Sequence, residues 1–228
     1  MNYKNILLAL AALAILAGGT GYYLLTRPTK TASQTVAPTP NAAGTSETTK
    51  LPGFNIVSLS SRANFSIYEL LNGKDKTVIG TTNQITGAVD MDRNDLSSAT
   101  FSDFRINART FQTDSSQRDN AIRRMILKTE DDANEFIVFK PTGVTGTPAK
   151  AEIGQEFAFA IKGNLTISGV TKEVTFTGKS KFTNDTTFSG SVQTMVKRSD
   201  FNLIVPNLSF LANVSDDVTI TFDFIASK

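Results

Sequence analysis

The chain has 228 residues and neither a cysteine nor a histidine. Most enzymatic machinery draws on one of those two side chains as nucleophile, general base or soft metal ligand. Without cysteine there is also no disulfide to staple the fold and no thiol to accept a lipid. Excess charge is lacking too: the formal net charge is +2, and residues 51–228 taken alone are close to neutral. A nucleic-acid surface, which needs clustered Lys and Arg to displace counterions from phosphate, is therefore not expected. No cofactor is expected, and no pair of carboxylates is spaced in a way that marks acid–base chemistry, so the reading is of a non-enzymatic binding protein.

What the chain does have is apolar material: 40% hydrophobic residues and 16 Phe, enough for one core. The first 25 residues stand apart. Ile6 to Leu25 is a charge-free run of 20 residues flanked by Lys4, Arg27 and Lys30. As a helix rising ~1.5 Å per residue it spans roughly 30 Å, the thickness of the bilayer's hydrocarbon. The expectation for residues 1–25 is a signal-anchor or transmembrane helix, with Tyr22 and Tyr23 at the interface. The alternative is a secretory signal peptide cut near Ala17-Gly18-Gly19. Residues 26–50 hold eight Thr and three Pro and almost nothing large and apolar, the composition of a disordered linker. A folded domain is expected over 51–228. The expected location is the cell membrane, single-pass with the domain extracytoplasmic, or a secreted or periplasmic protein if the leader is cleaved.

From Phe54 onward the hydrophobic period is two, the mark of half-buried strands. Phe157, Phe159, Ile161, Leu165 and Ile167 alternate with Ala158, Ala160, Lys162, Asn164 and Thr166. Val174, Phe176, Gly178, Ser180 and Phe182 repeat the pattern, as do Val218, Ile220, Phe222 and Phe224. Turns are expected at Asn72-Gly73, Ser168-Gly169, Asn184-Asp185 and Ser189-Gly190. Many strands at hairpin spacing suit an antiparallel sandwich or a closed barrel. Asp90, Asp92 and Asp95 resemble the opening of a calcium loop but lack its Gly and closing Glu, so a surface turn is expected there. One stretch departs from the strand pattern: within Thr113 to Thr129, Ser116 and Asp119 have the spacing of a capping box, and Ala121, Ile122, Met125 and Ile126 form one apolar helix face. Such a helix closes one end of a barrel or covers a sheet edge.

Gly87-Ala88-Val89, Arg109-Thr110, Gln117-Arg118-Asp119 with Ile122-Arg123, Phe136 to Phe139, Lys162 to Val174 (KGNLTISGVTKEV) and Lys197 to Phe201 form a recognisable set of segments. Together they resemble the YceI-like family of lipid-binding domains, most specifically over Lys162 to Val174. The resemblance covers about residues 54–226. It implies an all-β fold, an extended antiparallel lipocalin-like β-barrel with one short inserted α-helix, holding a polyisoprenoid or other long-chain lipid outside the cytoplasm. The sequence departs from the family where histidines are common, reading Ser60-Ser61-Arg62 and Ser168-Gly169 instead, and Asn202 stands for a glycine after Ser199-Asp200-Phe201. Asn tolerates positive φ, so that turn is expected to survive.

On this reading the apolar lining is expected from Phe65, Ile67, Phe104, Ile106, Phe157, Phe159, Ile161, Val174, Phe176, Phe222 and Phe224, with Arg118 and Arg123 receiving the ligand's head. Two alternatives stand beside it. The same apolar residues fill a solid core in small barrels, leaving a protein-interaction module. The arginines form a solvated face or pair with Asp131 and Asp132, and Arg198 with Asp200 makes a structural turn and ion pair.

Overall fold

The computed structural model describes residues 53–206 and 211–228. The expected membrane helix and linker, residues 1–25 and 26–50, lie outside the described residues. Among the described residues no helix is long and apolar enough to cross a membrane.

The described residues form 13 strands joined in one antiparallel sheet. They are β1 (Phe54–Ile56), β2 (Arg62–Leu71), β3 (Lys74–Thr82), β4 (Ile85–Thr86), β5 (Ala88–Asp92), β6 (Asp95–Phe101), β7 (Phe104–Asn107), β8 (Phe136–Thr145), β9 (Phe157–Ile167), β10 (Val170–Asn184), β11 (Thr187–Lys197), β12 (Leu211–Ala212) and β13 (Asp217–Ser227). A short helix, α1 (Ser116–Ala121), continues through a widened turn over Ile122–Ile126.

The sheet curls into a barrel. Neighbours run β3, β2, β13, β11, β10, β9, β8, β7, β4, and β4 follows β3 in the chain after two residues. Thr81 and Gln112 exchange backbone hydrogen bonds of 2.8 and 3.0 Å, bringing β3 to the segment that follows β7. On the edge away from β11, β13 serves two partners, pairing β2 over Val218–Asp223 and β1 at Ala226 and Ser227. Through β1 it carries the β5–β6 hairpin at the far end.

Local chemistry explains the connections. Asn72 (φ 50°) and Gly73 (φ 73°), then Ser168 (φ 46°) and Gly169 (φ 80°), make two-residue turns whose left-handed backbone matches the twist of the strands they join. At Asn184 the side chain accepts from Thr186 N–H at 2.9 Å and closes the β10–β11 hairpin. Asp92 likewise accepts from Asn94 N–H at 2.8 Å, so Asp90 to Asp95 is a hairpin, not an ion loop. Ser189-Gly190 is not a turn: both lie inside β11, where Gly190 faces Phe224 of β13. The helix cap falls one residue earlier than the sequence suggested. Ser115 Oγ accepts from Arg118 N–H, while Asp119 turns back to accept from the backbone and hydroxyl of Thr113, both at 2.7 Å.

Two serines in the stretches that depart from the family resemblance have structural work. Ser61 is fully buried, and its Oγ donates to Ile225 C=O and accepts from Ile225 N–H, fixing the start of β2 to β13. Ser168 Oγ donates to Leu127 C=O at 2.9 Å, tying the end of the helical segment to the β9–β10 turn. Asn202 adopts φ 55°, as expected. The ion partner of Arg198 is Asp216 at 3.9 Å and not Asp200, because the guanidinium is drawn toward Ser215 C=O and Leu203 C=O, both at 3.1 Å.

Inward residues alternate along β9 and β10 as the period predicts. One end of the barrel is filled by phenyl rings. Phe54 meets Phe188 edge-on at 5.3 Å and Phe182 at 5.8 Å, and Phe188 meets Phe224 at 5.2 Å. Phe54 is 1% exposed. Phe54→Ala removes a ring from a site that cannot collapse, and should lower unfolding free energy by about 3–5 kcal/mol in a denaturant titration.

Candidate ligand cavity

Above the packed end the barrel is hollow. A cavity of about 600 Å³ runs through it, within the range of ~300–1,000 Å³ typical of sites for small molecules. Its wall is overwhelmingly apolar and comes from nearly every strand of the barrel and from the helix.

Sixteen Phe would be expected to crowd such a space. Glycines on the facing backbone prevent it. The Phe65 ring of β2 takes the place that a Cβ would need on Gly80, its register partner in β3. Phe104 does the same over Gly87. A Cβ on Gly163 would come within 2.7 Å of the Phe139 ring, and one on Gly190 within 2.8 Å of Phe224, again a register partner. Each ring thus lies close against the wall, and part of its dispersion contact is made with backbone in addition to a neighbouring ring.

Of the residues singled out from sequence, Phe65, Ile67, Phe104, Ile106, Phe157, Phe159, Ile161, Phe176, Phe222 and Phe224 are on the cavity wall. Val174 is not. It packs against the core from the inward side of β10, and its register partner is Gly163, whose free space the Phe139 ring takes. Arg118 reaches the cavity, but Arg123 does not. Five residues beyond Arg118, Arg123 points about 140° away around a helix. Its guanidinium donates to Asn120 Oδ1 at 2.8 Å and to the carbonyls of Arg109 and Phe111.

The helix acts as a cover to the cavity and not to a sheet edge, since Ala121, Ile122, Met125 and Ile126 all face the hollow. Leu203, Val205 and Pro206 join them there.

Sequence reasoning missed the one acidic group on the wall among the described residues. Glu69 follows Phe65 and Ile67 in the inward register of β2 and is buried at 6% exposure. The signal was available: the Asn72-Gly73 turn fixes the register, and residues 63, 65, 67, 69 and 71 must share a face. Arg118 Nη2 donates to Glu69 Oε1 at 3.1 Å, and its Nη1 pairs with Asp114. Lys76 Nζ lies 2.7 Å from Asp114 Oδ2. The hydrogen bond from Lys76, helped by the Arg118 charge, holds the Asp114 carboxyl below its usual value against partial desolvation. Buried charge is tolerable here because it is paired.

Gly80→Ala tests the seating of the rings. The added methyl must push the Phe65 ring into the hollow, so binding of an apolar fluorophore such as N-phenyl-1-naphthylamine should weaken about tenfold while circular dichroism stays that of a β-protein. Unchanged binding would show that the ring does not border the space.

Comparison with known proteins agrees with this architecture. No curated protein matches the chain. Among solved structures, BcnA of Burkholderia cenocepacia superposes with a TM-score of 0.59 at 18% identity, covering 75% of this chain and 99% of that one. A polyisoprenoid binding domain from Saccharophagus degradans gives 0.60 at 14% identity, with 77% and 98% covered. The YceI protein of Campylobacter jejuni gives 0.52 at 20% identity, with 65% and 84% covered. At these identities the likeness is one of fold. The family model of the YceI-like domain matches residues 54–226. Its match over most of the chain, on a curled antiparallel sheet around an apolar hollow, places this protein in the YceI-like domain family.

Proposed function

We propose that this protein binds and carries a polyisoprenoid or similar long-chain amphiphilic lipid in its barrel, tethered to a membrane by its N-terminal apolar segment with the domain on the extracytoplasmic side. The observation that carries the reading is the cavity of about 600 Å³ walled by phenyl and aliphatic side chains. A hydrocarbon chain gains ~0.8 kcal/mol for each methylene removed from water. Ten methylenes contribute roughly 8 kcal/mol, the free energy of a micromolar complex before ordering costs. The similar domain from Saccharophagus degradans is described as polyisoprenoid-binding, which supports the same class of ligand. The alternative of a filled barrel serving only as an interaction module would leave a hollow of that size unexplained. For the tether, the support is the charge-free run from Ile6 to Leu25 followed by the Thr- and Pro-rich residues 26–50.

The decisive experiment is organic extraction of the purified full chain followed by mass spectrometry. A long-chain isoprenoid at near one mole per mole is expected. Protein that carries no lipid and takes none up from isoprenoid-doped vesicles would contradict the reading. Retention in the membrane pellet through alkaline carbonate washing is expected for the tether. A mature N-terminus beginning just after Gly19 would replace the anchor with a cleaved leader.

A further inference from the structure

The polar groups at the cavity wall restrict what the ligand's head can be. Two cationic residues line the hollow among the described residues, Arg118 and Arg198, and both are engaged. Arg198 donates to the carbonyls of Ser215 and Leu203 and faces Asp216. Arg118 is held between two carboxylates, Asp114 on Nη1 and Glu69 on Nη2. Lys76, Asp114, Arg118 and Glu69 form a chain of alternating charge that sums to zero. The Glu69 carboxylate spends only Oε1 on Arg118, and its Oε2 has no hydrogen-bond partner among the described residues. On a mostly apolar wall, that second oxygen is thus an acceptor carrying negative charge.

We propose that the cavity selects long-chain amphiphiles ending in an uncharged hydrogen-bond donor, an alcohol above all, and that Glu69 is the residue that reads the head. The inference rests on the lipid-binding reading and adds the chemistry of the head group to it. A hydroxyl donates to Glu69 Oε2 and completes the carboxylate's bonding, with Arg118 positioning the acid through Oε1. A phosphate or carboxylate head would be set beside a carboxylate in a low-dielectric space, with no uncommitted guanidinium to receive it. A head that only accepts, such as an ether, leaves Oε2 unpaired. Gln117, on the helix beside Arg118, also lines the cavity and offers an amide to the hydroxyl oxygen.

Three ligands with one tail test this: geranylgeraniol, its methyl ether and its monophosphate, each displacing N-phenyl-1-naphthylamine from the delipidated full chain. The alcohol is expected to bind at least about tenfold more tightly than the ether or the phosphate. In Glu69→Gln, Arg118 loses one carboxylate partner, and the preference for alcohol over phosphate should fall by about tenfold or reverse. Equal affinity for all three ligands, or tightest binding of the phosphate, in the unmutated protein would overturn the head-group assignment while lipid binding stands. Failure of all three to displace the fluorophore would overturn it together with the lipid-binding reading. The ranking in the unmutated protein decides the matter even if Glu69→Gln does not fold.

Discussion

The hollow interior depends on close approach of phenyl rings to backbone. A small barrel of about eight strands is just wide enough either to fill with its inward side chains or to hold one small ligand. Here Phe65, Phe104, Phe139 and Phe224 lie over Gly80, Gly87, Gly163 and Gly190, where no Cβ holds them off the wall. The rings remain out of water and in van der Waals contact, yet the axis stays clear. The same element that fills a core elsewhere therefore lines a cavity, and the difference lies in the residue opposite.

That arrangement divides the barrel into two parts with different work. Phe182 and Phe188 each meet Phe54 edge-on and tilt against one another, and this cluster supplies cohesion. Beyond them rings such as Phe65 and Phe104 also seat on glycine backbone, and space is left. The helix over the hollow is fastened at both ends, by the Ser115 and Asp119 caps and by Ser168 gripping Leu127 C=O. Its covering side is largely apolar, so a chain entering the cavity meets a mostly greasy surface on which Glu69 is the one acidic group among the described residues.

Much of this was legible in the sequence. Period-two alternation identified the strands and their inward faces, and Asn72-Gly73 and Ser168-Gly169 identified two hairpins by their demand for positive φ. Ten of the eleven apolar residues picked from sequence reach the cavity wall because parity decides facing. Parity does not decide depth, which is why Val174 faces in without reaching the hollow. Ser189-Gly190 read as a turn because Gly in a strand looks like punctuation. Its actual role, seating Phe224 from another strand, depends on a register between β11 and β13 that no local pattern reveals. Arg118 and Arg123 looked equivalent in sequence, but helix phase separates them. Glu69 was passed over because the reading of β2 by apolar residues stopped at Ile67, one step short of the inward acid.

Xenon under pressure is the most direct probe of the central claim, since the gas enters apolar cavities and scatters strongly. Crystals of the delipidated protein should show xenon bound between the Phe65, Ile161 and Phe222 side chains, with the rings of Phe65 and Phe224 flat on Gly80 and Gly190. An interior without xenon, its phenyl rings turned inward to meet across the axis, would contradict the claim.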